Sequence, residues 1–132
     1  MDNTVDIDFL KERISSVPGI AAAYLFGSAV KGSMKRESDI DVAVLFDDEH
    51  APTADKLEIM TELSRTAGRD VDVVIVNRAE PRLYHEILMT GKLIFEKNRE
   101  CRIRHEVRNR RLYEDYRRLH AIYMKGVKAR HG

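Results

Sequence analysis

The sequence predicts one α/β domain built on a small mixed β-sheet, and three observations carry that expectation. Apolar runs of strand length stand at residues 21–26, 39–46, 71–76 and 93–95, and segments with a helical apolar period separate them. A chain of 132 residues with 43% apolar content can close a single core without disulfides.

Each element has its own signal. Ile7, Leu10, Ile14 and Val17 recur on one helix face, and Pro18-Gly19 stops that helix. The run Ala21-Ala22-Ala23-Tyr24-Leu25-Phe26 is a buried strand halted by Gly27-Ser28. Residues 29–38 contain Gly, Ser and Lys without sustained periodicity and read as a loop or short helix. In the second strand, residues 39–46, Ile40, Val42, Val44 and Phe46 share one face, while Asp39 and Asp41 open the other. Asp47-Asp48-Glu49 ends it. After Pro52, Leu57, Met60, Leu63 and Ala67 mark a helix ended by Gly68, and residues 71–76 form the third strand. Pro81 suits the first turn of a helix carrying Leu83, Ile87 and Leu88, which Gly91 closes before the strand Leu93-Ile94-Phe95. Residues 99–125 read as one long basic helix, with Leu112, Tyr116, Leu119 and Tyr123 spaced four, three and four apart. Residues 1–98 are thus the expected core. Residues 99–132 are the expected terminal helix, packed on that core or on a partner within the same single domain.

Composition narrows the function. The net charge of +1 excludes a general polyanion binder, yet the charge is polarised: residues 1–96 hold 11 basic and 18 acidic groups, residues 97–132 hold 12 and 4. A lone Cys101 excludes a disulfide framework and a zinc ribbon, and fits a reducing, cytoplasmic setting. No apolar stretch reaches the ~18 residues of a membrane span, and the acidic start is unlike a secretion signal. The five histidines show no ligand spacing, so zinc is not expected. Asp47-Asp48-Glu49 lacks the Gly and distal Glu of a calcium loop and reads as solvated.

The chemistry concentrates in residues 26–44. Gly27-Ser28 ends a strand with backbone N–H groups and a hydroxyl, and the absent glycine side chain leaves room for a phosphate. It is no Walker A loop, because Gly32 is followed by Ser33-Met34 in place of Lys and Ser/Thr. Asp39 and Asp41 leave the same strand face with Cα atoms ~6.5 Å apart. Two carboxylates held ~4 Å apart repel by roughly 4 kcal/mol at an effective dielectric of 20, which a divalent cation relieves. Hard oxygen donors favour Mg²⁺, usually completed by substrate phosphates and water, so the arrangement expects a nucleotide. Asp72 is the third candidate, since a carboxylate within an apolar strand is costly without a partner, metal or water. Asp70, at the strand's mouth, reads as a solvated turn acid. Lys31, Lys35 and Arg36 are secondary phosphate contacts.

These residues resemble the DNA-polymerase-β-type nucleotidyltransferase superfamily, in which a Gly-Ser turn is followed after about ten residues by Asp-x-Asp. Within it, Gly27-Ser28, Val30-Lys31-Gly32, Ser38-Asp39-Ile40-Asp41 and Val71-Asp72-Val73 resemble the minimal nucleotidyltransferase (MNT) group, the antitoxin half of HEPN/MNT toxin–antitoxin pairs. Lys31 departs from that group's Arg and lacks its bidentate fork. The resemblance implies a polymerase-β-like fold and transfer of AMP from ATP to a tyrosine of a cognate HEPN ribonuclease toxin, which is thereby silenced. It further implies that Gly27, Ser28, Lys31 and Ser38 hold the nucleotide, and that Asp39, Asp41 and Asp72 bind two Mg²⁺ ions. Asp72 would also help deprotonate the acceptor. The alternative is a non-catalytic antitoxin acting by stoichiometric occlusion. A polymerase would need a second lobe for its template, and transfer to a small molecule would need a substrate domain.

Overall fold

The computed structural model describes residues 7–27 and 40–131. In chain order these form α1 (Ile7–Ser15), β1 (Ile20–Phe26), β2 (Ile40–Phe46), α2 (Lys56–Ala67), β3 (Val71–Ile75), α3 (Pro81–Thr90), β4 (Lys92–Glu96) and α4 (Arg99–His131). Single 3₁₀ turns stand at Ala51–Thr53 and Val76–Arg78. The sheet order is β3-β2-β1-β4. β1 runs antiparallel to both β2 and β4, whereas β2 and β3 are parallel, so the sheet is mixed as the sequence predicts.

Strand alternation gives the sheet two apolar faces. On one, Ile40, Val42, Val44 and Phe46 pack with Val73, beneath Leu10 and Ile14 of α1 and Leu63 of α2. On the other, Tyr24, Ala43 and Leu45 lie under Tyr84 and Ile87 of α3 and Cys101 of α4. The continuous apolar run of β1 reflects a strand covered on both sides. Fully burying a Leu or Ile contributes ~1.5–3 kcal/mol, so these layers supply the main driving force for closing the domain.

Local chemistry sets the boundaries. Asp55 caps α2 by accepting from the N–H groups of Leu57 at 3.0 Å and Glu58 at 3.3 Å. Gly68 ends it in the left-handed conformation, with φ +69°. β3 is one residue shorter than its apolar run predicts, because Asn77 takes over at that point. Its side chain donates to Phe46 O and accepts from Phe46 N–H, both at 2.9 Å, and so substitutes for a strand neighbour.

The last helix is longer than its apolar period predicts, continuing to His131 through Gly126. At ~1.5 Å per residue its 33 residues span roughly 50 Å. Its base is fastened to the body. Tyr24 donates to Glu106 at 2.8 Å, and Arg102 bonds Glu106 at 2.7 Å and also Glu96. Arg104 reaches Asp48 at 2.6 Å, and buried Asn109 donates to Pro81 O at 3.0 Å. The ring of His85 stacks on Tyr113 with centroids 3.8 Å apart.

These contacts also fix the helix direction. Asn98 bonds Ala21 and Glu106 bonds Tyr24, so α4 runs the same way as β1, toward Phe26. It parallels α3 as well, Asn109 meeting Pro81 and Tyr113 meeting His85 one turn further on. α3 itself ends at Gly91 against the end of β1, where a side-chain Cβ would lie 3.0 Å from Leu25 O and 3.3 Å from Phe26 Cβ. The unpacked part of α4 therefore leaves the body at the Phe26–Gly27 end of the sheet.

Candidate functional site

Three of the candidate residues meet at that same end. Asp41 is the second residue of β2 and Asp72 the second of β3, and the parallel register sets them directly side by side. Neighbouring strands are ~4.8 Å apart, and partners in register share a face, so the two carboxylates rise together from the face that carries Ala43 and Leu45. On its other side Asp41 pairs with Phe26, the last residue of β1. Gly27 follows with φ +75°, a left-handed conformation that glycine adopts without steric cost.

The glycine has a second reason to be there. A Cβ at position 27 would collide with Oδ2 of Asp41 and sit 3.2 Å from its Cγ. The open space expected for a phosphate is thus shared with a carboxylate: the turn folds closely over Asp41. Half-buried Asp41 stands deeper than exposed Asp72. The burial cost that singled out Asp72 is therefore not present, because its carboxylate is hydrated. Its distinction is the register opposite Asp41. Asp70, one step outside the strand, uses its carbonyl to accept the N–H of Ile40 at 3.0 Å and so ties the mouths of β2 and β3 together.

Ser28, Lys31, Ser38 and Asp39 lie outside the described residues, as do Lys35 and Arg36. Among the described residues, no three acidic, His or Cys side chains converge on a metal-sized centre. Asp41 and Asp72 supply two hard oxygen donors in register, a set suited to Mg²⁺ and unsuited to soft metals. Among the described residues, no helix is long and apolar enough to cross a membrane.

The remaining polar groups of the fold play other parts. Burial, with Tyr84 and Glu106 nearby, raises the Tyr24 phenol well above its ordinary range, and burial first pushes Tyr84 up to about 12. Burial likewise raises the Cys101 thiol. Asp47 experiences an opposing upward pull from burial, yet hydrogen bonds from the His50 ring and backbone hold it below the usual carboxylate range. A cleft of about 400 Å³ lies between Arg13, Val17, Phe46, His50, Ile59 and Glu62, at the far end of β2 from Asp41. Sequence reasoning passed over the Tyr24–Glu106–Arg102–Glu96 chain that seats α4. Its one visible signal was the four-residue spacing of Arg102 and Glu106.

The chain resembles known proteins in sequence and in fold. The family model described as polymerase β, nucleotidyltransferase matches residues 8–100. The protein adenylyltransferase MntA of Shewanella oneidensis is 34% identical over 83 residues, which cover 61% of this chain and 57% of that relative, less than two thirds of its length. A relative from Methanocaldococcus jannaschii is 32% identical over 87 residues, 64% of this chain and 92% of its own. A chain from a toxin–antitoxin crystal structure with AMP-PNP aligns with a TM-score of 0.78, covering 94% of this chain and 99% of that one at 24% identity. A chain from the complex of tri-AMPylated Shewanella oneidensis HEPN toxin with MNT antitoxin gives a TM-score of 0.57 at 22% identity, over 96% and 92% of the two chains. These likenesses establish a common fold that extends along nearly the whole of this chain.

Proposed function

Because the chain belongs to the polymerase β nucleotidyltransferase family, we propose that it is a Mg²⁺-dependent antitoxin that moves AMP from ATP to a tyrosine of a HEPN ribonuclease toxin and thereby silences it. The observation that carries this reading is the side-by-side register of Asp41 and Asp72 beneath the Gly27 turn. The names of the relatives supply the acceptor class: MntA is a protein adenylyltransferase, and the HEPN toxin bound to an MNT antitoxin carries AMP.

Asp39, Asp41 and Asp72 would hold two Mg²⁺ ions. When bound, the metal supplies charge stabilisation for the attacking and leaving oxygens of an in-line displacement. The chain's own residues bind and orient. Gly27 and Ser28, with Lys31 and Ser38, receive the triphosphate, and the close turn at Gly27 keeps Asp41 against it. The tyrosine oxygen forms its bond to the α-phosphorus while the bond to the bridging oxygen of the β-phosphate breaks, and pyrophosphate departs. Exposed Asp72, at the open side of the pair, takes the phenolic proton. The protein partner completes the site, since the described residues provide no lobe that encloses an acceptor.

The test is incubation of the purified chain with Mg²⁺, α-labelled ATP and a candidate HEPN toxin, with mass spectrometry of the products. We expect label on a toxin tyrosine, with transfer reduced at least 100-fold, about 2.7 kcal/mol, by Asp41→Ala or Asp72→Ala. Toxin neutralised equally well by both variants without label would overturn the enzymatic reading in favour of occlusion.

A further inference from the structure

We propose that the outer half of α4 binds a single-stranded nucleic acid, with its phosphates on two rows of basic side chains and its bases against a neighbouring column of aromatic rings. Arg110 and Arg117 repeat at a seven-residue interval, and Arg111, Arg118 and Lys125 repeat one position further on. Both rows lie on the side of the helix turned away from buried Cys101 and Asn109, and Lys128 adds a sixth charge there. All six are exposed. The ion pairs of α4 belong to Arg102, Arg104 and His105 at its base, and among the described residues none of the six is paired. From Arg110 to Ala121 the rest of this side is Glu114 and Ala121, so no large apolar group stands there to anchor a protein.

The rings supply what a charged surface lacks. His85 stacks on Tyr113 with centroids 3.8 Å apart, Tyr116 follows at 6.4 Å and His120 at a further 5.7 Å, and successive planes differ by only 12°, 24° and 17°. Tyr116 is 41% exposed and His120 is exposed as well, so this end of the column is open. Tyr113 stands three residues after Arg110 and four before Arg117, and His120 three after Arg117, the separations of neighbours on a helix surface. The column therefore borders the Arg110 and Arg117 row. Positive charge that tracks a backbone beside rings that accept bases is the means by which single strands are held. A duplex keeps its base faces covered by neighbouring pairs, and an acidic polypeptide meets only the arginines.

The body restricts where the strand can lie. Residues 1–96 hold 18 acidic against 11 basic groups, so phosphates are repelled from the sheet and drawn along α4. Residues 110–128 offer the strand roughly 27 Å of helix.

The test is fluorescence anisotropy with the full chain and a labelled uridine oligonucleotide of about twelve nucleotides, at salt from about 50 to about 200 mM. Four phosphate contacts give log K against log salt a slope of about −3. Arg117→Gln/Arg118→Gln should weaken binding at least tenfold and make that slope shallower by about 1.4. Tyr116→Leu/His120→Leu, which keeps apolar bulk and helix propensity but removes two rings, should weaken it at least fivefold and leave the slope unchanged. Lys11→Gln/Lys56→Gln, the same charge removed from α1 and α2, should change it less than twofold. Circular dichroism verifies that each variant keeps its helices. RNA and DNA versions of the strand show whether the 2′-hydroxyl is read, and binding of either with these variant effects supports the proposal. No binding at the lowest salt would overturn it, as would equal weakening by the α4 arginine variant and the α1/α2 variant. So would tighter binding of a duplex that is insensitive to the ring variant, or displacement of the strand by polyglutamate of equal charge. Displacement by saturating ATP with Mg²⁺ would place the strand at Asp41 and Asp72 and overturn it too. The assay measures no transfer, so its result is independent of the reaction proposed above.

Discussion

At residue 27 a single hydrogen in place of a side chain serves two ends. It permits φ +75°, and it lets the turn lie against the Asp41 carboxylate. Gly27→Ala combines a left-handed alanine, which costs of order 1 kcal/mol, with a collision that only movement of Asp41 can relieve. We expect a modest loss of stability in urea unfolding and a much larger loss of nucleotidyl transfer, at least tenfold, expressed in kcat at saturating ATP. A variant whose KM for ATP rises while kcat is unchanged would instead assign Gly27 to nucleotide binding alone. Much of this site was legible in the sequence, because Gly-Ser and Asp-x-Asp state their chemistry by residue type and spacing. The pairing of Asp41 with Asp72 was not, since register between distant strands depends on the whole sheet. The choice of Asp72 over Asp70 rested on a burial cost that its exposure removes.

At the scale of elements, helix boundaries were readable where a residue of special geometry fixes them. Pro81 and Gly91 bracket α3, and Gly68 ends α2. Asp55 went unremarked as a cap, although it supplies the first turn of α2 with an acceptor. Asp55→Ala should cost about 1 kcal/mol, read as a lower urea midpoint with an unchanged slope. An unchanged midpoint would mean that water satisfies those N–H groups equally well. The end of β3 was misjudged for a related reason: periodicity describes apolar faces, whereas Asn77 ends the strand by bonding to the backbone of Phe46. Likewise the apolar stripe of α4 stops at Tyr123, but the helix needs no stripe to continue once its base is fastened.

For the molecule as a whole, the seat of α4 makes stability depend on alkaline pH. Tyr24 and Tyr84 lie between the sheet and α4, and both ionise less readily folded than unfolded; Tyr84 is pushed up to about 12 from an ordinary 10.0. Between those values the folded chain keeps a proton that the unfolded chain releases, so this contribution is complete below pH 10 and is lost as pH rises through 12. Thermal melts from pH 9 to 12 should show Tm falling more steeply for wild type than for Tyr84→Phe. Parallel curves would remove Tyr84 from the account. The same seat encloses Cys101, the sole cysteine, 3% exposed and with its thiol raised by burial. A sulfhydryl held there is sheltered from alkylating reagents and from oxidation while the helix root stays closed. Its rate of modification thus becomes a clock for the lifting of α4 away from the sheet, readable with no label added elsewhere on the protein.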